Sequence, residues 1–237
     1  QAALGSVPRS IENPMQTTEV NILGTVNLMH AAVQQKVERI ILAFSSSTYG
    51  DHPDLPKVEE KIGRPLSPYA VTKASIEQFA DVFGKTYGLN WIGLRYFNVF
   101  GPKQNPKNPY AAVIPLFIDA AVSQKPLKIF GDGQTSRDFT FIKNAVLAND
   151  LALFVESKES LNQIYNVACG KATSLNELST MIGTLSHNTI KTIHLDEREG
   201  DVKHSLADIS KGEALLGYRP IIDVHSGLKE TINWIKK

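Results

Sequence analysis

The segment Pro68-Tyr69-Ala70-Val71-Thr72-Lys73 places a tyrosine four residues before a lysine. Proline favours the first turn of a helix, so Pro68 predicts that a helix begins here. Side chains four positions apart on a helix are neighbours, and Tyr69 and Lys73 are therefore expected to interact. An ammonium group favours a nearby phenolate, so Lys73 is expected to lower the pKa of Tyr69 from its ordinary value of about 10. Such a phenol can accept and return the proton of a hydroxyl group.

The same helix is predicted to turn the Tyr69 and Lys73 side chains inward. At about 100° per residue, the apolar residues that share the Tyr69 direction are Ile76, Ala80, Phe83 and Tyr87. Burying a lysine is costly, so an inward lysine needs a partner or a chemical role. Without these surroundings, the spacing would equally fit a core aromatic residue beside a solvated charge. With them, the pattern favours function.

A buried strand is predicted upstream of this helix. The run Arg39-Ile40-Ile41-Leu42-Ala43-Phe44 is rich in branched apolar residues, as is typical of a parallel strand covered on both faces. It ends in Ser45-Ser46-Ser47. Ligands of open α/β sheets bind at the carboxyl ends of the strands, which makes these serines candidates for a site. A serine-rich turn without function is the alternative.

Strands and helices alternate along the rest of the chain. Strands are predicted near residues 90–96, 125–130, 138–142 and 163–168, and helices near 15–35, 144–156, 209–216 and 224–235. Ser174 and Glu177 form a capping box, which predicts that one more helix begins there. The alternation predicts an α/β protein with a doubly wound, parallel, Rossmann-like sheet and a smaller C-terminal α+β domain.

The start of the chain predicts an N-terminally truncated sheet. The chain opens at Gln1 without a methionine, and its first residues read like the middle of a domain. No glycine spacing matches the turn that lets a pyrophosphate approach a helix N-terminus.

Composition narrows the class of protein. The 237 residues are 42% hydrophobic and 21% charged, which is ordinary for a globular protein. The net charge of +1 predicts no nucleic-acid partner and no attraction to anionic membranes. The single cysteine, Cys169, suits a reducing compartment, and the six histidines show no metal-ligand spacing. Without a membrane-length apolar run or a signal peptide, a cytoplasmic location and no metal are predicted.

Three motifs in order resemble the extended short-chain dehydrogenase/reductase superfamily. They are the serines after the strand, the Tyr69–Lys73 pair and the segment Arg95-Tyr96-Phe97-Asn98-Val99-Phe100-Gly101. Within that superfamily, residues 2–8, 45–52, 131–139 and 198–201 resemble bacterial UDP-N-acetylglucosamine 4-epimerases. The resemblance covers nearly the whole chain and lacks the N-terminal part that holds the adenine half of NAD in that family.

The resemblance implies a redox epimerisation with NAD as cofactor. Tyr69, as phenolate, would remove the proton of the sugar 4-hydroxyl while hydride passes from C4 to the nicotinamide. Lys73 would hold the nicotinamide ribose, and Ser45 would hydrogen-bond the reacting oxygen. The 4-keto sugar then takes hydride back on its other face, so NAD is regenerated. The remaining positions that match the cofactor side are Asn21, Ala2 and Ala3.

The resemblance also assigns a site for a UDP-sugar. Arg137, Arg198 and Asp201 match positions that hold the nucleotide, where guanidinium groups suit a diphosphate and a carboxylate suits ribose hydroxyls. For each arginine alone, a surface ion pair is the alternative. Asn98 would also contact the diphosphate. The other substrate-binding positions implied are Gly5, Ser6, Ser45, Ser46, Ser47, Gln104, Ala112, Val113 and Ser205.

The substrate expected from the resemblance is a UDP-N-acetylhexosamine, UDP-GlcNAc or UDP-GalNAc. Relatives restricted to unsubstituted hexoses carry a bulky tyrosine at the position of Ser205, and a small side chain leaves room for a 2-acetamido group. Dehydratases carry an acid–base pair where this chain has Ser46 and Ser47, which favours epimerisation. A UDP-N-acetylglucosaminuronate 4-epimerase, a non-catalytic nucleotide-sugar-binding module and an inactive fragment remain as alternatives.

The resemblance also implies how the chain is divided into domains and how it assembles. Residues 1–100 and 138–170 would form the NAD-binding part, and residues 101–137 and 171–237 the interleaved nucleotide-sugar domain. A homodimer is expected, because the family commonly pairs the helix of Tyr69 and Lys73 with its symmetry mate.

Overall fold

A computed structural model of the protein describes residues 1–108, 111–188, 190–197 and 203–236. Two predicted site residues, Arg198 and Asp201, lie outside the described residues. The strands are β1 (Ile40–Ser45), β2 (Trp91–Tyr96), β3 (Val99–Phe100), β4 (Leu127–Phe130), β5 (Ser136–Asp138), β6 (Thr140–Phe141), β7 (Gln163–Val167), β8 (Ala172–Ser174) and β9 (Thr192–Leu195).

The helices are α1 (Val7–Glu12), α2 (Pro14–Thr18), α3 (Gly24–Gln34), α4 (Pro68–Tyr87), α5 (Val113–Val122), α6 (Ile142–Phe154), α7 (Leu175–Ser186), α8 (Ser210–Leu216) and α9 (Val224–Ile235). A π-helical turn, Glu19–Leu23, joins α2 to α3, and 3₁₀ turns cover Ser46–Tyr49 and Lys158–Ser160.

The central sheet is parallel, with strand order β1-β2-β7. Its register aligns Ser45 with Tyr96 and Tyr96 with Val167, so the carboxyl ends of the three strands form one edge. Smaller two-stranded pairs join β3 to β6, β4 to β9 and β5 to β8. The predicted α/β class with a parallel Rossmann-like sheet is confirmed.

Apolar side chains cover both faces of the central sheet. On one face α3 and α4 pack against β1 and β2, and the buried residues include Met29, Phe44, Ile76, Phe83 and Trp91. On the other face α6 and α8 cover β2 and β7, and the buried residues include Ile92, Leu94, Ala148, Tyr165 and Tyr218. A glycine is required at position 93 of β2, because a Cβ atom there would lie 2.1 Å from Cε2 of Phe44.

A separate apolar core lies between α5, α7 and α9. Its fully buried members include Ile118, Leu178, Leu228 and Phe141. The C-terminal part of the chain therefore has its own core, as a smaller domain requires. The interleaved division at residues 1–100 with 138–170 and 101–137 with 171–237 remains a prediction.

Local sequence signals place most elements correctly. The helix predicted near residues 15–35 is present, with the π-helical turn as an unpredicted interruption. The capping box is confirmed, because the Ser174 hydroxyl accepts from Glu177 N at 3.1 Å and the Glu177 carboxylate accepts from Ser174 N at 2.8 Å. The strand predicted over 138–142 is wrong at its end, since Ile142 already begins α6. Helices α1 and α5 were not predicted.

Candidate active site

Helix α4, which carries Tyr69 and Lys73, begins at Pro68, where the sequence predicted it, because two hydroxyl groups satisfy its first amides. Ser67 is the N-cap, and its Oγ accepts from Ala70 N at 3.1 Å. Ser10 of α1 accepts from Tyr69 N at 3.0 Å while it donates to Val7 O at 2.7 Å. Ser10 is fully buried, so this contact fixes the backbone that carries Tyr69.

Lys73 is buried, as the helical pattern predicted. Its side chain is 4% exposed, and Nζ donates to Ala43 O at 2.7 Å. Nζ also lies 5.9 Å from the centroid of the Tyr69 ring. Burial lowers the pKa of Lys73 to about 8, against an opposing effect of the Glu77 carboxylate. An ammonium group has three N–H donors, so Lys73 can serve a ligand as well as Ala43.

Tyr69 differs from the sequence expectation in its pKa. Burial raises the pKa of Tyr69, and the hydrogen bond from the Ser45 hydroxyl lowers it only in part. The expected lowering by Lys73 is wrong, because its ammonium group lies over the ring and desolvation of the phenol dominates. At neutral pH the Tyr69 phenol therefore holds its proton.

Ser45 is the last residue of β1 and is held in place by the turn that follows it. Its Oγ accepts from Ser47 N at 3.2 Å and from Ser47 Oγ at 2.9 Å. The Thr48 hydroxyl donates to Ser45 O at 2.7 Å. The Ser45 proton remains for Tyr69 or for a ligand, and the half-buried Ser46 and Ser47 lie at the same edge of the sheet.

Asn21, which was predicted to lie on the cofactor side, uses its side-chain amide for hydrogen bonds within the protein. Its Oδ1 accepts from Leu4 N at 2.8 Å, and its Nδ2 donates to Leu4 O at 3.2 Å and to Thr72 Oγ1 at 3.1 Å. Thr72 in turn donates to Tyr69 O at 2.7 Å. Asn21 thus links the N-terminal segment, where Ala2 and Ala3 are exposed, to helix α4. A direct contact of Asn21 with NAD remains a prediction.

On the predicted substrate side, the structure brings Arg137 and Ser205 together. Arg137 Nη1 donates to Ser136 O at 2.9 Å and to Lys203 O at 3.2 Å. Ser205 N donates to Ser136 O at 3.1 Å. Asn98, with a positive φ of 34°, donates from Nδ2 to Asp138 O at 3.2 Å.

The remaining predicted substrate residues lie on other segments. Gln104 closes its own turn, since it accepts from Gly101 N at 3.3 Å and donates to Val99 O at 3.2 Å. Ala112 is the N-cap of α5, and Val113 is its first residue. Gly5 is exposed, and Ser6 caps α1 by accepting from Arg9 N at 3.2 Å. Whether these residues enclose a sugar remains a prediction.

A buried ion pair between α4 and β2 was not predicted. Arg95 donates to both Glu77 carboxylate oxygens, at 2.9 and 2.7 Å, and to Glu59 O at 2.8 Å. Arg95 and Glu77 are 2% and 7% exposed. Glu77 lies one turn beyond Lys73 on α4, so the pair anchors the helix to β2. The Arg95 guanidinium also lies 4.9 Å from the centroid of the Tyr49 ring.

Two negative findings concern the described part of the chain. Across residues 1–108, 111–188, 190–197 and 203–236, no helix is long and apolar enough to cross a membrane. Over the same ranges, no group of histidine, cysteine and acidic side chains is arranged to hold a metal ion.

Residues 1–168 match the family described as NAD dependent epimerase/dehydratase family. The match spans the central sheet, Ser45, Tyr69 and Lys73, and the chain belongs to this family.

Three of the similar proteins are UDP-sugar 4-epimerases. The UDP-glucuronate 4-epimerase of Thermodesulfobacterium geofontis is 36% identical over 100% of this chain and 71% of its own length. The structure of UDP-N-acetylglucosamine 4-epimerase from Methanobrevibacter ruminantium, in complex with UDP-N-acetylmuramic acid, is 40% identical, with a TM-score of 0.95 over 100% of this chain and 75% of that one. The Thermus thermophilus UDP-glucose 4-epimerase complex with NAD is 32% identical, with a TM-score of 0.89 over 100% and 76%.

The described residues fit the nicotinamide half of NAD, the cofactor of this family. The buried Lys73 ammonium offers N–H donors beyond the one that Ala43 O accepts, and the Tyr69 phenol lies on the same helix face. Donors in this arrangement suit the paired hydroxyl groups of a ribose. Lys73 and Tyr69 are therefore the residues that would hold this part of the cofactor.

Proposed function

We propose that the protein is an NAD-dependent 4-epimerase that interconverts UDP-GlcNAc and UDP-GalNAc through a transient 4-keto sugar. One observation carries the proposal: the buried Lys73 ammonium lies 5.9 Å from the centroid of the Tyr69 ring and donates to Ala43 O, in the strand that ends at Ser45. A non-catalytic binding module has no need for a buried lysine beside a phenol. Family membership supports the reaction class.

The roles of the three residues follow from their chemistry. In its phenolate form, Tyr69 Oη would accept the proton of the sugar 4-hydroxyl and later return it to the 4-keto oxygen. Ser45 Oγ hydrogen-bonds the same oxygen and keeps it beside Tyr69. Lys73 would hold the cofactor ribose through the N–H donors that Ala43 O does not use. When bound, NAD would supply reversible hydride acceptance at the nicotinamide, and its positive charge would favour the Tyr69 phenolate.

For the nucleotide-sugar, we propose that Arg137, Asn98, Arg198 and Asp201 bind the UDP part. The backbone contact between Ser205 and Ser136 places Ser205 beside Arg137, which supports a shared substrate segment. The Ser205 side chain is small and half-buried, and this favours a substrate with a bulky 2-acetamido group. The remaining wall would be formed by Gly5, Ser6, Ser46, Ser47, Gln104, Ala112 and Val113.

Ser205→Tyr is expected to reverse the sugar preference. The larger side chain would occupy the space of the acetamido group, so kcat/KM for UDP-GalNAc should fall at least about tenfold relative to UDP-galactose. The measurement compares both substrates on each variant by chromatography of the UDP-sugars. Ser205→Ala, which keeps the residue small, is the control and should retain the wild-type ratio. An unchanged ratio in Ser205→Tyr would refute the assignment of Ser205.

A second candidate is 4-epimerisation of a UDP-uronate. The observation that favours it is the 36% identity to the UDP-glucuronate 4-epimerase of Thermodesulfobacterium geofontis over the whole of this chain. Both candidates use the same three residues, but a UDP-uronate carries a carboxylate at C6 of the sugar, and UDP-glucuronate also lacks the 2-acetamido group. Parallel assays with UDP-GalNAc, UDP-glucuronate and UDP-N-acetylglucosaminuronate decide between them by the ratio of kcat/KM.

We also propose that the protein is a cytoplasmic homodimer that pairs through α4. Val71, Phe79 and Val82 form one stripe on this helix and are 49%, 38% and 50% exposed in the single chain. At 100° per residue, Val71 and Val82 lie about 20° apart and Phe79 lies about 80° from Val71, on the side of the helix away from the buried Ala80. An apolar stripe of this kind suits a symmetric contact with the same helix of a second copy.

Val82→Glu is expected to convert the dimer to a monomer, because it would bring two carboxylates together at the symmetric contact. Sedimentation equilibrium at micromolar concentration measures the mass. Ile221→Glu adds the same charge at a residue that is 63% exposed outside α4, and it should leave the dimer intact. A monomeric wild type, or equal dissociation by both variants, would contradict the proposed interface.

A further inference from the structure

Asp138, the last residue of β5, is a fully buried carboxylate that binds backbone amides. Its Oδ1 accepts from Cys169 N at 2.9 Å, and its Oδ2 accepts from Ala207 N at 3.3 Å. Burial raises the pKa of Asp138 to about 6, while the amides of Cys169, Ala207, Gly170 and Lys171 oppose the increase. The side chain therefore joins the turn after β7 to the segment before α8.

The segments that meet at Asp138 carry residues of the proposed substrate site. Arg137 precedes Asp138 in β5, and Asn98 donates from Nδ2 to the Asp138 carbonyl oxygen at 3.2 Å. Ser205 lies two residues before Ala207, and its own amide is bound to Ser136 O at 3.1 Å. One carboxylate and its backbone thus connect three candidate substrate residues that are distant in sequence.

The hydrogen bonds of the Asp138 carboxylate indicate that it holds two backbone segments in a fixed arrangement. A buried carboxylate is costly unless several donors converge on it, so the amides from both segments must remain in place together. Among the described residues, the Asp138 carboxylate accepts from backbone amides, and Tyr69, Lys73 and Ser45 are not among its partners. A change at Asp138 should therefore disturb the binding of the nucleotide more than the proton transfer.

We propose that Asp138 is a positioning residue for the nucleotide-sugar, holding Asn98, Arg137 and Ser205 in one arrangement. The proposal rests on the proposed function for the identity of the ligand. It extends that function, because the relative positions of the substrate-binding segments would depend on the buried Asp138 side chain, which does not itself bind the ligand.

The test is Asp138→Asn, which keeps the shape of the side chain but directs an NH₂ group at a backbone amide. We expect the Kd for UDP, measured by calorimetry, and the KM for the UDP-sugar to rise at least about tenfold. We expect kcat and the amount of retained NAD to stay within about threefold of the wild type. Ile182→Ala is the control, because it loosens the neighbouring core without touching these hydrogen bonds.

The outcomes separate this proposal from the proposed function. Weaker UDP binding in Asp138→Asn alone supports the positioning role, even if the wild type fails to epimerise any UDP-sugar. Wild-type UDP affinity in Asp138→Asn, or equal weakening by Ile182→Ala, would overturn it.

If Asp138→Asn does not fold, hydrogen exchange on the wild-type protein tests the positioning role instead. Addition of UDP should then protect residues 168–171 and 203–207 together. Protection of one segment without the other would overturn the proposal.

Discussion

Replacing Tyr69 by phenylalanine is expected to reduce epimerase turnover by at least about 10²–10⁴-fold, the usual contribution of a positioned acid–base group. The substitution removes a single oxygen and keeps the ring against Lys73. Because Lys73 and Ser45 are unchanged, binding of the cofactor and the UDP-sugar should be altered far less than kcat. Steady-state kinetics with UDP-GalNAc, together with the amount of bound NAD, measures the two effects separately.

Tyr87→Phe provides a matched control for this experiment. Tyr87 lies on the same helix and is 54% exposed, so the same atomic change occurs away from the proposed site. Tyr87→Phe should keep wild-type turnover. If Tyr69→Phe kept it as well, the acid–base role of Tyr69 would be refuted.

Replacing Glu77 by glutamine is expected to lower the free energy of unfolding by about 3–5 kcal/mol. The loss arises because the Arg95 guanidinium, 2% exposed, would keep its charge without a carboxylate partner. Glutamine preserves the size of the side chain, so the effect reports charge and not a cavity. Chemical denaturation monitored by circular dichroism measures the change.

Asp81→Asn is the control on the same helix. Asp81 pairs with Lys85 at 2.6 Å, but both side chains are more than half exposed, so its removal should cost less than about 1 kcal/mol. If Glu77→Gln and Asp81→Asn both lowered the free energy of unfolding by less than about 1 kcal/mol, the stabilisation expected from the buried ion pair would be contradicted. Glu77→Gln should also lower the pKa of Lys73 further, because the Glu77 charge is what raises it.

The sequence predicted those parts of the site that depend on short-range patterns. Pro68 marks the start of α4, the four-residue spacing places Tyr69 and Lys73 on one face, and the serines follow a buried parallel strand. These signals act within one helix turn or at one strand end, and tertiary packing leaves them unchanged. The capping box of Ser174 and Glu177 is local in the same way.

Tertiary packing decided the features that the sequence did not predict. Ser10 accepts a hydrogen bond from the amide of Tyr69, which is 59 residues away in sequence, and Arg95 pairs with Glu77, which is 18 residues away. No local sequence pattern predicts either contact. The pKa of Tyr69 was predicted in the wrong direction because burial of the phenol depends on the whole site, whereas the Lys73 spacing is local. Asp138 was missed for the same reason, since its partners come from two distant turns.

The most direct test of the central claim follows the hydrogen at C4 of the sugar. The protein is incubated in ordinary water with UDP-GalNAc that carries deuterium at C4, and the UDP-GlcNAc formed is analysed by mass spectrometry. If the hydride leaves and returns within one site, the product keeps deuterium at C4. Loss of deuterium to solvent, or no product from protein that binds both NAD and UDP, would contradict 4-epimerisation by this protein.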